Sequence, residues 1–407
     1  MESGLTHTRG TLLLCTAAAL LEGFDNQSMG VAAPRLVPQF GLSPTQTSLI
    51  FSAVTVGLFV GAALGGRLAD RVGRRRMLIA SMVMFGLCSL LTVTTSDATA
   101  LFLVRLLTGL GLGGAMPNFI ALASEAAPAA RRLSAVTIVM AGLPFGGLLA
   151  GLVALAQAWG WSWRMIFYIG GVVPLLLALW MWRRLAETPG ARPAEAPPAA
   201  AAPLEGVGQV LFGRQRALTT LALWGGFFFT QLILLLMLNW LPSLFVGLGF
   251  SRPQASVASM CFNFCGALGS LFLGRLHAGG QRRLWVALTY TGMAVALVLL
   301  PLTGHAFGWA AVACGLAGVF IIGAQLILFA LAPLYYEHAV RGTGVGAAVS
   351  IGRLGSVVGP LYAGVLLARG GGSAAVLLGI VPFVLLGGVS AWALTWRPQR
   401  GFQPVDA

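Results

Sequence analysis

Long apolar stretches recur along this chain at a spacing that leaves little choice of fold. Twelve of them approach or exceed the roughly 20 residues that an α-helix needs to cross a bilayer. They lie at residues 11–37, 46–66, 77–95, 99–122, 133–157, 164–182, 218–246, 254–274, 284–302, 307–333, 343–367 and 374–396. We therefore expect an all-α membrane protein with twelve transmembrane helices.

Charge is too scarce for a water-facing surface. Only 9% of the 407 residues are charged and 57% are hydrophobic, whereas soluble domains have about 25% charged residues. The net charge of +14 comes from 25 arginines, with no lysine. A basic balance can indicate nucleic-acid binding, but these arginines lie in short loops between apolar stretches. We therefore expect a lipid bilayer around the protein and no nucleic-acid partner.

The loop arginines predict the orientation. If the N-terminus is cytoplasmic, 19 of the 25 arginines fall in cytoplasmic segments, 4 at outer ends and 2 within helices. Cytoplasmic loops of membrane proteins carry an excess of positive charge. Both termini are therefore expected in the cytoplasm.

The chain is expected to divide into two halves. Residues 185–216 are rich in proline and alanine and predict a flexible cytoplasmic linker. It separates an N-terminal six-helix bundle, residues 1–184, from a C-terminal one, residues 217–407. "GRLADRVGRR" at 66–75 aligns with "GRLHAGGQRR" at 274–283, and "GVVPLLL" at 171–177 aligns with "GIVPFVL" at 379–385, both at an offset of 208. Such a duplication predicts bundles related by a pseudo-twofold axis, with a site between them near the midplane.

Several motifs resemble those of a known family. "GRLADRVGRRR" at 66–76 and "RLLTGLGLGGAMPN" at 105–118 resemble signatures of the major facilitator superfamily. Within it, "EGFD" in the first helix and "GVGAAVSIGRLGSVVGP" at 344–360 resemble the aromatic acid:proton symporters. Glu22 stands where hydroxybenzoate members have Asp, which favours the hydroxyphenylpropionate branch.

This resemblance implies the major facilitator fold and a place in the bacterial cytoplasmic membrane. It also implies proton-coupled import of an aromatic monocarboxylate such as 3-(3-hydroxyphenyl)propionate. We expect a monomer that needs no cofactor and no metal and is not an enzyme. The alternative is a proton-coupled exporter of drugs or organic acids with the same fold, although "GLPFGG" at 142–147 matches the usual exporter motif poorly.

Two acids in the first apolar stretch are the strongest candidates for proton coupling. Glu22 and Asp25 are three residues apart and therefore share a helix face. Acids inside a membrane usually mark an ion or proton path. Burial favours the protonated form of a carboxyl, as proton coupling requires. Alternatively, both acids lie in a wet outer vestibule or hydrogen-bond to neighbouring helices.

Arg353 is the predicted partner of a substrate carboxylate, because a guanidinium binds a carboxylate through two parallel hydrogen bonds. The alternative is a structural ion pair with Asp25 or Glu22. Arg341 matches a second family arginine, and a gating role and a substrate contact are both open for it. Arg105 is expected to be structural or part of a proton relay.

The loop after the second helix predicts a cytoplasmic gate. In it a lone acid, Asp70, accompanies Arg71, Arg74 and Arg75. Glu125, near the cytoplasmic end of the fourth helix, is expected to join these arginines in a gating network.

Polar and aromatic side chains in the apolar stretches are further candidates for substrate contact. Each polar one is either a hydrogen-bond partner of the substrate or a bridge between helices. The predicted set is Asn118, Asn239, Gln325, Tyr335 and, as a surface for the aromatic ring, Phe24.

Overall fold

The computed structural model describes residues 2–128, 131–156, 160–185, 207–213, 216–278, 281–337 and 340–396. These residues form helices and short connections, with no strand among them. The helices are α1 (Glu2–Phe40), α2 (Pro44–Val72), α3 (Arg74–Thr94), α4 (Ala98–Ala126), α5 (Arg132–Ala156), α6 (Arg164–Arg184), α7 (Val207–Phe212), α8 (Ala217–Gly247), α9 (Arg252–Ala278), α10 (Arg282–Leu302), α11 (Phe307–Leu331), α12 (Arg341–Ala368), α13 (Ser373–Gly379) and α14 (Val381–Leu394). A 3-10 turn, Ala332–Tyr335, follows α11.

Eleven helical segments in the described part of the chain are long and apolar enough to cross a membrane, α13 and α14 together forming the last. The prediction of an all-α membrane protein is confirmed. The first predicted span lies in α1, which has 39 residues but is not among the eleven. Its polar run at 22–28 lowers its hydropathy, so α1 is the exception by composition and not by length.

The chain divides into two compact units. The first holds α1–α6 together with residues 238–246 and 250–263, and the second holds most of the remaining helices. In the first unit α2 packs against α4, α1 packs against α5, and α3 contacts both α4 and α6. Its core includes Met82, Phe85 and Phe119, none of which is exposed.

A glycine seam joins α2 to α4. A Cβ on Gly57 or Gly61 would overlap the backbone of α4, and one on Gly109 or Gly113 would overlap the backbone of α2. Glycines four residues apart on a helix form such a small-residue packing face. The two backbones therefore touch directly along more than two helical turns.

Gly73 makes the sharp turn between α2 and α3. Its φ of 95° lies in the region that L-residues with a Cβ rarely adopt. Its N–H donates to the carbonyl of Ala69, which closes α2. Glycine at this position sets the direction of the arginine-rich start of α3.

The predicted linker does not remain irregular to its end. Val207–Phe212 form α7, in which Val210 and Leu211 are buried. Thr220 Oγ1 donates to the carbonyl of Leu211 at 2.6 Å, and Arg216 Nη2 donates to Glu337 Oε1 at 3.2 Å. Residues 207–213 and Arg216 are thus fixed within the second unit, because two apolar side chains and a buried arginine find partners there. Residues 186–206 and 214–215 of the predicted linker lie outside the described part of the chain.

In the second unit, α10 packs against α11 and α14. The residues of α8 before 238 lie against α12, where Gly355 and Gly359 approach the carbonyls of Phe228 and Leu232. The residue numbers rise together along both helices, so α8 and α12 run parallel.

Candidate functional site

A buried ion pair links α1 to α4 in the first unit. Arg105 Nη1 donates to Asp25 Oδ1 at 3.0 Å and Arg105 Nη2 to Asp25 Oδ2 at 2.8 Å. Each side chain is only 1% exposed. This is the two-bond geometry in which a guanidinium and a carboxylate interact most strongly. Arg105 thus takes both oxygens of the acid that we considered as a partner of Arg353.

Neighbouring groups fix the pair in place. The Ser28 hydroxyl donates to the carbonyl of Asp25 at 2.7 Å and lies 3.4 Å from Asp25 Oδ1. The guanidinium carbon of Arg105 lies 5.6 Å from the ring centroid of Phe167, which is a cation–π contact. Phe24, the residue before Asp25, is also buried. Its ring lies against Gly170 of α6, where an added Cβ would contact the ring.

Glu22 lies one helical turn before Asp25 and is 2% exposed. Two buried acids therefore share the helix of the ion pair, while Arg105 is the buried arginine on α4. Acids inside a membrane usually mark an ion or proton path. The proton-coupling role of Glu22 and Asp25 stays a prediction.

Gln27 is a neighbouring buried residue that sequence reasoning missed. It is 1% exposed, and its Nε2 donates to the carbonyl of Leu238 at 3.1 Å, within the first unit. The signal available in the sequence was its position in the polar run of α1, between Asp25 and Ser28. Asn239, a predicted substrate contact, is 5% exposed in the same unit.

Asn118 is engaged within its own helix. It is 2% exposed, and its Nδ2 donates to the carbonyl of Gly114 at 2.7 Å. That bond leaves its side-chain oxygen and its second N–H for any substrate contact.

The C-terminal candidates lie in the second unit. Arg353 is partly exposed on α12, Tyr335 is 2% exposed in the 3-10 turn, and Gln325 is 5% exposed on α11. The structure adds a polar contact that the predicted set did not contain. Ser356 Oγ lies 3.4 Å from Gln231 Oε1, and both residues are buried.

Two arginines of the predicted gating set have partners at the start of α3. Arg74 forms an ion pair with Glu125, and Arg75 donates to the carbonyl of Trp182. Arg71 is exposed, and Arg341 is partly exposed at the start of α12. The side chain of Asp70 lies outside the described residues, so the gating role of this set stays a prediction.

Within the described ranges, no group of three or more His, Cys, Asp or Glu side chains is placed to hold a metal ion. The site described above is built from carboxyl, guanidinium and amide groups. A helical membrane protein whose interior holds a bonded acid–arginine pair belongs to the class in which buried charges mark the path of an ion or solute.

Comparison with known proteins narrows that class. The Major Facilitator Superfamily matches residues 15–360. The chain is 41% identical to the "3-(3-hydroxy-phenyl)propionate transporter" of Escherichia coli (strain K12), with 98% of this chain and 96% of that protein covered. It is 32% identical to the "Gallate transporter" of Pseudomonas putida, with 88% and 85% covered.

A solved structure shows the same fold. A bacterial homolog of the human lysosomal transporter Spinster, in an inward-facing and unoccupied conformation, has a TM-score of 0.78 at 17% identity, over 96% of this chain and 97% of that one. The chain belongs to the Major Facilitator Superfamily. It is a multi-pass membrane transporter and not an enzyme, as the sequence predicts.

Proposed function

We propose that this protein imports an aromatic monocarboxylate together with protons, by alternating access, across the bacterial cytoplasmic membrane. The substrate that we propose is 3-(3-hydroxyphenyl)propionate. The observation that carries the proton-coupled part is the Asp25–Arg105 ion pair, which is 1% exposed on both sides. The relatives that transport hydroxyphenylpropionate and gallate support the substrate class.

Protonation of Asp25 is the proposed switch. The two hydrogen bonds from Arg105 require the negative charge of the carboxylate for their strength. When Asp25 binds a proton, this charge is lost and the pair is weakened. Arg105 then needs another counter-ion, and Glu22, one turn before Asp25 on α1, is the acid that we propose for it. Release of the proton to the cytoplasm restores the original pair.

A guanidinium can bind one carboxylate through two parallel hydrogen bonds, and we propose Arg353 for that contact. The polar side chains that we propose for substrate contact are few, namely Asn118, Asn239, Gln325 and Tyr335. They suit an aromatic ring with few hydroxyls better than a sugar.

Proteoliposome transport tests this proposal. Radiolabelled 3-(3-hydroxyphenyl)propionate should accumulate against its gradient when the lumen is alkaline relative to the outside. Asp25→Asn should abolish accumulation, while exchange of labelled for unlabelled substrate continues because exchange needs no net proton release.

Three results would contradict the proposal in different ways. Wild-type accumulation in Asp25→Asn would remove the proton role of Asp25. Proton-driven extrusion of substrate would identify an exporter. Displacement of the ligand by glucose as readily as by phenylpropionates would overturn the substrate class. Light scattering of the purified protein tests the proposed monomer.

A further inference from the structure

Gln325 on α11 is buried without satisfying its side-chain amide. It is 5% exposed, and neither Oε1 nor Nε2 has a hydrogen-bond partner among the residues that the structure describes. The two atoms cannot be satisfied by exchanging their positions, since both are unbonded. Burying the polar groups of an amide without hydrogen-bond partners destabilises the folded protein. A residue kept at that cost inside a transporter is a candidate for binding the substrate.

The depth of Gln325 can be read from ring contacts in the second unit. The rings of Phe227 on α8 and Phe329 on α11 lie 5.2 Å apart, edge to face. The chain reverses direction three times between α8 and α11, after α8, after α9 and after α10, so these two helices run in opposite directions. Gln231 is one turn after Phe227, and Gln325 is one turn before Phe329. Both glutamines therefore lie about one turn, roughly 6 Å, from the ring pair on the same side.

A third helix reaches the same level. Gly352 on α12 lies where a Cβ would touch Phe227 and Gln231. One turn further along, the Ser356 hydroxyl lies 3.4 Å from Gln231 Oε1. Gln325, Gln231 and Ser356 thus form an uncharged polar layer at one depth, next to a layer of two aromatic rings.

The unbonded carbonyl oxygen of Gln325 selects the chemistry of the partner. Oε1 can only accept a hydrogen bond, and an ionised carboxylate has no hydrogen to donate. A hydroxyl group can donate to Oε1, and a second, adjacent hydroxyl can accept from Nε2. We propose that Gln325 binds the ring hydroxyl of a hydroxylated aromatic acid and sets the preference of the transporter for hydroxylated over unsubstituted rings. This inference rests on the proposed function and specifies one end of the same substrate.

Binding of two ligands tests the assignment. The affinities of purified protein for 3-(3-hydroxyphenyl)propionate and 3-phenylpropionate are measured by competition against a radiolabelled ligand. Wild type should bind the hydroxylated acid about ten-fold more tightly, which is the effect of leaving a buried polar group unpaired. Gln325→Met keeps the length of the side chain but has no amide. This variant should lose the preference and bind 3-phenylpropionate as wild type does.

Asn263→Leu is the matched control. Asn263 is also a buried amide, but its Nδ2 donates to the carbonyl of Ser259 in its own helix at 2.9 Å. This variant should keep the ten-fold preference. A preference that persists in Gln325→Met would overturn the assignment.

A third ligand tests the proposal on wild type alone, so the test does not depend on the folding of a variant. 3-(3-Methoxyphenyl)propionate keeps the ring oxygen but has no hydrogen to donate. It should bind no better than 3-phenylpropionate, and affinity equal to that of the hydroxylated acid would overturn the role of Oε1. If all three acids bind equally, the subsite is wrong while the proposed transport of aromatic acids stands. If none binds, the proposed function itself is wrong.

Discussion

The Asp25–Arg105 pair allows a quantitative test of how strongly two helices are coupled through one interaction. Removing one member of a buried ion pair leaves an uncompensated charge and typically costs about 3–5 kcal/mol. Both side chains are 1% exposed and share two hydrogen bonds of 2.8 and 3.0 Å, so the upper part of this range applies. We expect Arg105→Gln to lower the free energy of unfolding by about 4 kcal/mol.

The double variant Asp25→Asn/Arg105→Gln should be less damaging than the sum of the two single variants. It removes both charges, so that no ionised group remains unpaired in the interior. An interaction free energy of roughly 2–3 kcal/mol is expected, near the upper end for residues in direct contact. The measurement is unfolding of the purified protein in detergent by increasing dodecyl sulfate, followed by tryptophan fluorescence.

The Arg74–Glu125 pair supplies the comparison. Its side chains are 36% and 27% exposed, and solvent-exposed ion pairs contribute only about 0–1 kcal/mol. The same cycle with Arg74→Gln and Glu125→Gln should therefore give an interaction energy below about 1 kcal/mol. Equal coupling in the two cycles, or additive effects of the Asp25 and Arg105 variants, would refute the reasoning from burial.

Three further predictions concern other parts of the molecule. Gly113→Ala should lower the thermal stability by about 1–3 kcal/mol, because its Cβ would lie 2.7 Å from the backbone nitrogen of Ala62; the control Gly66→Ala, with nothing within 4 Å, should be neutral or slightly stabilising in the same thermal-shift assay. Arg353→Lys should weaken substrate binding about ten- to a hundred-fold, because lysine keeps the charge but cannot form the two-bond fork; unchanged affinity in equilibrium binding would give Arg353 a structural role. Burial raises the pKa of Tyr336 above 10.0, although the Thr220 hydroxyl and the charge of Arg216 oppose this. The contribution of Tyr336 to the free energy of unfolding is thus fully present below pH 10.0 and is lost as the pH rises through the raised pKa. Tyr336→Phe should therefore lower the free energy of unfolding by about 1 kcal/mol, and this loss should be constant from about pH 6 to pH 9 in unfolding measurements.

The parts of the fold that follow from local pattern were predictable. A membrane-length apolar run can form only a helix in lipid, because each backbone polar group must be bonded within the segment. The spacing of Gly57, Gly61, Gly109 and Gly113 likewise predicts close helix contacts. Periodicity does not, however, predict which two stripes meet, and that α2 meets α4 is an outcome of three-dimensional packing.

The pairing of Asp25 with Arg105 was only partly predictable. The sequence places an arginine, Arg105, in α4 and two acids, Glu22 and Asp25, in α1. Arg353 was an equally reasonable partner on charge alone, since 80 and 328 residues of separation are both non-local. The choice depends on which side chains share a depth and a face after the helices have packed.

The end of the linker was not predictable from composition. Proline and alanine dominate residues 185–206, and that bias hides the apolar side chains of Val210 and Leu211 that follow. Gln325 was recognised as a polar residue in an apolar helix, but its unbonded state is a property of its surroundings. No reading of α11 by itself shows what the neighbouring helices fail to supply.

The glycine seam also has a mechanical consequence. Where two backbones touch, there are no side-chain rotamers that can change to let one helix slide past the other. We therefore expect helices α2 and α4 to move as one rigid body. Arg74, at the start of α3, forms an ion pair with Glu125 near the C-terminal end of α4. Arg105 lies in the first third of α4. A displacement of the start of α3 is therefore transmitted through α4 to the ion pair between Arg105 and Asp25.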